Sequence, residues 1–373
     1  MTPPTLLPAG PEAVRARVRG LGLPAPHADL RIVVAVPARN EAARLPALVH
    51  ALAAQRDADG QPFAPGLVEV IVLVNNSVDG SADVGRAAAA MAVPHVRVHV
   101  AEVALGRGEA HVGRARQMVL DAAWARFAPA VSGLLLTTDA DTRPAPDWIT
   151  ETVREISRGA DAVGGRILLA GRAALPPALR RLVLLDAGYR RALEHVRHLV
   201  APDAHDPYPR HHQHFGGSLA VTAEAYARAG GIPAVAALED VAFVRALAAT
   251  GARLRHSDRV RVWTSARRVG RASDGLACEM ARWERRADRG LPLLVEPADD
   301  AVARLVRLGR WRAAHPGAAP PPALADAPHP LGAAEPVERA LVGVRAHAAR
   351  LAALDLPARL AVRPAPRSVR LAA

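Results

Sequence analysis

Residues 133–141 (GLLLTTDAD) confine this chain to few folds, because an apolar run there stops abruptly at two carboxylates one residue apart. A short apolar run bounded by turn-forming polar residues predicts a buried strand, and in open α/β sheets ligands gather at the carboxyl ends of strands. Asp139 and Asp141 are therefore expected at a sheet edge facing a crevice. Two carboxylates on a rigid element suit a divalent cation that keeps several waters and also takes phosphate oxygens, as a nucleoside diphosphate site requires. The same residues also read as an ordinary Asp/Thr/Pro loop, and the triplet alone leaves both readings open.

The segments before it supply a strand–loop–helix rhythm. Residues 31–36 (RIVVAV) predict a first strand, followed by the loop from Pro37 through Arg39 to Glu41 and a helix with Leu45, Leu48 and Leu52 on one face. Residues 68–74 (VEVIVLV) predict a second strand covered on both faces. It ends in Asn75, Asn76 and the turn at Asp79-Gly80, with Ser81 placed to cap the next helix. A third strand over 95–100 and a helix from about Gly113 to Trp124, carrying Arg114 and Arg116, complete the first half. No Gly-x-Gly-x-x-Gly follows the first strand, which disfavours a dehydrogenase. The chain has no lysine at all, so a P-loop cannot be completed.

Charge narrows the partners. The formal net charge is +12 and all 48 basic residues are arginine, a side chain that binds phosphate bidentately. Nucleic acid is disfavoured, because three Tyr and four Phe leave little for base stacking and no helix shows a basic reading stripe. The single cysteine, Cys278, excludes an intramolecular disulfide and fits a reducing, cytoplasmic setting. The first 30 residues are broken by prolines and lack a signal-peptide core. No run approaches the ~18 apolar residues of a membrane span. Peripheral contact with a membrane surface stays open.

The ordered segments VVAVPARNE, VLVNNSVDGS, VGRARQ and LLLTTDADT resemble the nucleotide half of a family 2 glycosyltransferase of the GT-A fold. The resemblance implies an α/β nucleotide-diphospho-sugar transferase with a mostly parallel central sheet flanked by helices. It implies further that Pro37, Arg39, Glu41, Asn76 and Asp79 lie around the nucleoside, Arg116 near the diphosphate, and Asp139 and Asp141 at the ribose and a Mn²⁺ or Mg²⁺ ion. Two positions depart from the family: Asn75-Asn76 where aspartate is frequent, and Gln117 where the family has Asn.

In the second half, residues 146–159 predict a helix burying Ile149, Val153 and Ile156, and 161–169 a strand. Residues 177–200 predict an amphipathic helix packed on a core. The run 203–215 holds His205, His211, His212 and His214; zinc ligation and a mobile segment beside an acceptor are both readings of it. Gly216 and Gly217 allow close backbone approach to a ligand. Asp240 reads by itself as a helix-capping residue. Placed after Gly-Gly-Ser, however, Glu239-Asp240 resembles the pair that provides the family's general base. Val241, Val244 and Leu247 are expected inward on the helix that follows. Thr264-Ser265-Ala266-Arg267-Arg268 is similar to a Thr-Ser-x-Arg-Arg segment of non-processive members, and Arg268 and Arg271 are taken as arginines facing the diphosphate or acceptor.

The expected division is an extension over 1–30 and a GT-A domain over 31–290. That domain splits into a nucleotide half (31–145) and an acceptor half (146–290), and a helical, Pro/Ala-rich extension follows over 291–373. The resemblance implies a metal-dependent inverting transfer from a nucleoside diphosphate sugar, a UDP-sugar first, to an acceptor hydroxyl, with Asp240 as base and Glu239 beside it. A sugar-phosphate nucleotidyltransferase and an inactive binding protein on the same fold are the alternatives.

Overall fold

The computed structural model describes residues 10–92, 96–128, 132–270, 275–316, 318, 320–325 and 333–361. The chain forms two compact units, one of Met1–Arg172 with Gln213–Met280, the other of Ala173–His212 with Ala281–Ala373. Residues 173–212 thus group with the C-terminal part.

In chain order the first unit carries α1 (Pro11–Arg17), β1 (Ile32–Ala38), α2 (Leu45–Ala53), β2 (Val68–Asn75), α3 (Ser81–Met91) and β3 (Arg97–Val103). It continues with α4 (Val112–Trp124), β4 (Leu134–Thr137), β5 (Thr142–Pro144), α5 (Trp148–Ser157) and β6 (Ala162–Leu169). After α6 (Pro177–Val200), which belongs to the second unit, the chain returns with β7 (Leu219–Thr222), α7 (Ala223–Arg228), α8 (Glu239–Ala249) and β8 (Leu254–Thr264). The remaining elements are α9 (Leu276–Asp288), β9 (Leu294–Val295), α10 (Ala298–Ala314), α11 (Pro322–Ala325), β10 (Glu335–Pro336), α12 (Val337–Ala352) and α13 (Leu356–Ala361).

The eight-stranded sheet has the order β3-β2-β1-β4-β7-β6-β8-β5. β7 and β5 run against their neighbours, and the other pairings are parallel. Every residue of β1, β2 and β4 is buried, as a sheet covered on both faces demands. Alternation divides β1 cleanly. Val34 and Val36 join Leu45, Leu48, Leu52 and Trp148 on one side, while Val33 and Ala35 join Val119, Tyr226 and Phe243 on the other. Each of the Val, Leu and Phe side chains among them, fully buried, contributes roughly 1.5–3 kcal/mol.

Several local expectations are corrected. α5 buries Trp148, Ile149 and Thr152, whereas Val153 is exposed, because the helix turns its Trp148 face to the sheet. In α8 the buried apolar residues are Phe243 and Leu247; Val241 and Val244 are only half-buried. Ser81 is the first helical residue rather than the cap, and its N–H is taken by Asp79 Oδ1 at 3.0 Å. The third strand begins at Arg97, and His95 lies outside the described residues. Thr222 does cap α7, accepting from the Ala225 N–H at 3.2 Å.

In the second unit α6 packs against α10 and α12 and buries Leu179, Leu182, Tyr189, Val196 and Val200. The segment after α6 is stapled to it. Tyr208 stacks on His195 and His198 with ring centroids 4.9 and 5.6 Å apart, and Arg210 pairs with Glu194 at 2.8 Å and with Asp206 at 2.5 Å. Among the described residues no group of three or more His, Cys, Asp or Glu is arranged to hold a metal ion, and no helix is long and apolar enough to cross a membrane.

Candidate active site

Asp139 and Asp141 occupy the turn between β4 and β5, closed by the Thr142 N–H donating to the Asp139 carbonyl at 3.0 Å. This is the carboxyl edge of the parallel strands, where the sequence placed them. The two side chains are held differently. Asp139, about 40% exposed, accepts from Arg116 Nη2 at 2.7 Å through Oδ1. Asp141, only 7% exposed, accepts the Ser265 hydroxyl through Oδ2 and lies 3.2 Å from Arg267 Nε. Burial first, and then the charge of Asp139, push the Asp141 carboxyl above its ordinary value.

The donor set fits a hard divalent cation. Asp139 Oδ2 and Asp141 Oδ1 accept no hydrogen bond from any described residue, and the two carboxylates repel each other. A Cβ on Gly217 would stand 3.1 Å from Asp139 Oδ2, so glycine keeps that oxygen uncovered. Oxygen-only ligands with open positions suit Mg²⁺ or Mn²⁺, which retain waters and accept phosphate oxygens.

Arg116 organises the other side of the crevice. It projects from α4, 3% exposed, and donates from Nε to Glu239 Oε1 at 2.9 Å, from Nη1 to Thr137 Oγ1 at 2.8 Å and to the Gly216 carbonyl at 3.0 Å, and from Nη2 to Asp139. Burial opposes its charge, but Asp139 and Glu239 hold it protonated well above its usual range. Two glycines make this approach feasible. A Cβ on Gly216 would stand 2.5 Å from the Arg116 guanidinium carbon, and one on Gly113 would stand 1.9 Å from the Val235 carbonyl oxygen. The α4 N-terminus therefore lies against the loop that leads into α8.

Leu238 enters α8 with φ 58, an uncommon conformation for a branched side chain. It is followed by buried Glu239 and by Asp240, both of whose oxygens are engaged by backbone: Oδ2 by the Gly216 N–H and Oδ1 by the Val241 N–H, each at 2.7 Å. Burial and the neighbouring Glu239 raise the Asp240 carboxyl above its ordinary value. One chain of contacts thus runs from Asp139 through Arg116 to Glu239, and from Gly216 to Asp240.

The residues expected around a nucleoside are brought to the same edge, but several spend their side chains on the backbone. Pro37 is buried within β1 opposite Leu73. Arg39 donates to the Ala110 carbonyl at 3.0 Å. Asn76, at φ 47, pairs its whole amide with the Leu105 backbone, donating at 2.9 Å and accepting at 3.1 Å. Asp79 accepts from the Ser81 hydroxyl and from the Ala42 and Ser81 N–H groups, and these bonds, the hydroxyl first, pull its carboxyl below the ordinary value despite the opposing effect of burial. Glu41 is buried and meets Arg267 Nη1 at 2.6 Å and Arg44 at 3.3 Å.

Two participants were not singled out from sequence. Thr137, the last residue of β4, carried no signal beyond its strand position. Arg267, rather than its neighbour Arg268, is the arginine that meets Asp141; Arg271 lies outside the described residues.

The profile described as Glycosyl transferase family 2 matches residues 33–208. No curated protein matches the sequence. Among solved structures, the mannosyltransferase PcManGT from Pyrobaculum calidifontis, in complex with GDP-Man and Mn²⁺, is 21% identical, with 93% of this chain and 83% of that chain covered and a TM-score of 0.46. TarS 1–349 from S. aureus, in complex with UDP, is 14% identical over 69% of this chain and 71% of that one, with a TM-score of 0.43. The M. tuberculosis glucosyl-3-phosphoglycerate synthase is 17% identical over 76% and 84%, with a TM-score of 0.36. Residues 33–208, a little under half of the chain, match a glycosyltransferase family 2 domain, and the mostly parallel sheet flanked by helices is that of the GT-A fold.

Proposed function

We propose that the chain transfers a sugar from a nucleoside diphosphate sugar to an acceptor hydroxyl with inversion, using Asp240 as the base and Asp139 with Asp141 to hold Mn²⁺ or Mg²⁺. The observation that carries this reading is the Arg116 guanidinium, which joins Asp139 at 2.7 Å to Glu239 at 2.9 Å, immediately beside Asp240. A candidate metal ligand and the start of the helix bearing the base are thereby fixed to one rigid fork.

In this reading Asp240 takes the acceptor proton as the acceptor oxygen attacks the anomeric carbon. The bond from that carbon to the diphosphate oxygen breaks, and its electron pair leaves with the diphosphate. The raised basicity of the Asp240 carboxylate favours the proton transfer, and the Gly216 and Val241 N–H groups hold the carboxylate in place. Glu239, held by Arg116, orders the first turn of α8. The metal ion, when bound, supplies charge neutralisation for the leaving diphosphate. One displacement inverts the sugar, with a UDP-sugar the first donor to try.

A thermal-shift panel of UDP, GDP, CDP and dTDP, with and without Mn²⁺, tests the donor half of the proposal on the wild type and Asp141→Ala. A ligand at a hundred times its dissociation constant adds about 2.7 kcal/mol of stability. A metal-dependent shift for one nucleotide, lost in Asp141→Ala, is the expected result. No shift with any of the four in folded protein would refute the donor site. The anomeric configuration of the product, read by NMR, tests inversion: a β product from an α donor supports it and a retained α linkage contradicts it. Release of pyrophosphate from a nucleoside triphosphate would favour the nucleotidyltransferase instead.

A further inference from the structure

The loop after β8 lays a second arginine across the acidic pair. Arg267 reaches Glu41 Oε1 with Nη1 at 2.6 Å and Asp141 Oδ2 with Nε at 3.2 Å. Its side chain is 24% exposed, and its Nη2 has no hydrogen-bond partner among the described residues. Asp141 Oδ2 also accepts the Ser265 hydroxyl, so both groups that grip this carboxylate come from residues 265–267. Glu41 is fixed independently, through its N–H to Ser81 Oγ at 2.8 Å and through Arg44 at 3.3 Å. One guanidinium therefore spans a carboxylate anchored in the β1 loop and a carboxylate suited to a metal ion.

The chemistry of the span is competitive. A guanidinium is permanently charged, and a divalent ion drawn to Asp141 meets a positive group already there. Ion and arginine favour the same carboxylate, and their like charges repel across the crevice. The Glu41 tether keeps Arg267 in place when Asp141 turns to the ion. Its Nε then stands free beside Nη2, and these two N–H groups form one edge of the fork, the edge that matches two phosphate oxygens.

We propose that Arg267 is a positioning residue that holds Asp141 before the metal ion arrives and exchanges that carboxylate for the donor diphosphate once ion and donor bind. The exchange rests on the donor reading above; the competition for Asp141 does not. It makes Arg267 oppose the bare ion yet assist the ion together with a diphosphate, a pattern that a merely structural arginine does not produce.

The test measures Mn²⁺ alone by electron paramagnetic resonance, and UDP and GDP at saturating Mn²⁺ by calorimetry, on the wild type, Arg267→Gln and Arg267→Lys. Arg267→Gln is expected to bind Mn²⁺ alone about tenfold more tightly and the diphosphate about tenfold more weakly, within the usual range of coupling between sites. Arg267→Lys keeps the charge but cannot span both carboxylates, so its Mn²⁺ affinity should rise by a smaller factor, about two- to threefold. Arg267→Lys decides the matter by the same criterion if the glutamine variant fails to fold. Unchanged or weaker Mn²⁺ binding in the folded variants overturns the proposal, as does weakening of ion and diphosphate by one common factor. If the wild type takes up Mn²⁺ but neither diphosphate, the donor reading and the exchange fall together, while the Mn²⁺ arm still decides whether Arg267 opposes the ion. If neither wild type nor variants take up Mn²⁺, the proposal falls.

Discussion

Arg116 Nη2 donates to Asp139 Oδ1 across 2.7 Å from a side chain that is almost wholly buried. The same guanidinium satisfies Glu239, Thr137 and the Gly216 carbonyl, so its removal strands a buried carboxylate as well as freeing Asp139. Breaking a buried pair by deleting one partner costs about 3–5 kcal/mol. Arg116→Ala should therefore lower the free energy of unfolding, measured by urea titration, by an amount of that order and abolish turnover. Arg116→Lys should recover little, because an ammonium cannot address four acceptors in a planar arrangement. A variant with wild-type stability and activity would remove Arg116 from its central place.

Asp240→Asn should lower kcat by about 10²–10⁴ while leaving donor affinity within a small factor, as expected when a general base is lost. Single-turnover kinetics with calorimetric donor binding separates the two. The wild-type pH profile carries a second signature. Burial and Glu239 raise the Asp240 carboxyl above its ordinary 3.8, and the base must be deprotonated, so kcat/KM should fall on the acid side at a pH above 3.8. A profile flat down to the ordinary aspartate range would count against the assignment.

Glu69, fully buried on β2, gives a stability prediction. Burial by itself would raise its carboxyl, but His99, 3.7 Å away, and Arg126, which donates to it, bring it from an ordinary 4.5 down to about 2. A depressed native pKa means stability that is complete above pH 4.5 and lost as the pH falls towards about 2. The stability gap between the wild type and Glu69→Gln, read by denaturant melts across that window, should narrow as acid is added. A constant gap would contradict this linkage.

Gly113→Ala would push a methyl group to 1.9 Å from the Val235 carbonyl oxygen, an atom of the backbone that cannot rotate away. Overpacking of this kind costs about 1–3 kcal/mol. The displaced loop leads directly to Glu239, so the loss of activity in this variant should exceed what its lower melting temperature accounts for, measured at a temperature where both proteins are folded.

The positions of the candidate carboxylates were legible because each ends or begins an element: Asp139 and Asp141 follow a strand, and Glu239 and Asp240 open a helix. The sheet itself was legible from the unbroken apolar runs of β1 and β2. Asn76 and Asp79 also stood where the sequence placed them, yet their side chains brace the loops, the ordinary habit of Asn and Asp in turns. Arg267 was not picked out from Arg268 and Arg271 because an irregular loop has no fixed period from which to read direction. The grouping of residues 173–212 with 281–373 was hidden for a related reason: contacts between segments so distant in sequence leave no local pattern.

The tethering of the two neighbouring aspartates to separate arginines has a consequence for how the protein comes into being. During synthesis the Asp139–Asp141 pair and Arg116 emerge well before Glu239 and Arg267, which hold the ends of the network. A ribosome that has made only the first 208 residues has displayed both aspartates and Arg116, but neither Glu239, which fixes the far side of Arg116, nor Ser265 and Arg267, which hold Asp141. The nascent chain therefore cannot complete this network until β8 and the loop beyond it have joined the sheet, so a fully tethered Asp139–Asp141 pair is a report that the segments on both sides of residues 173–212 have folded together.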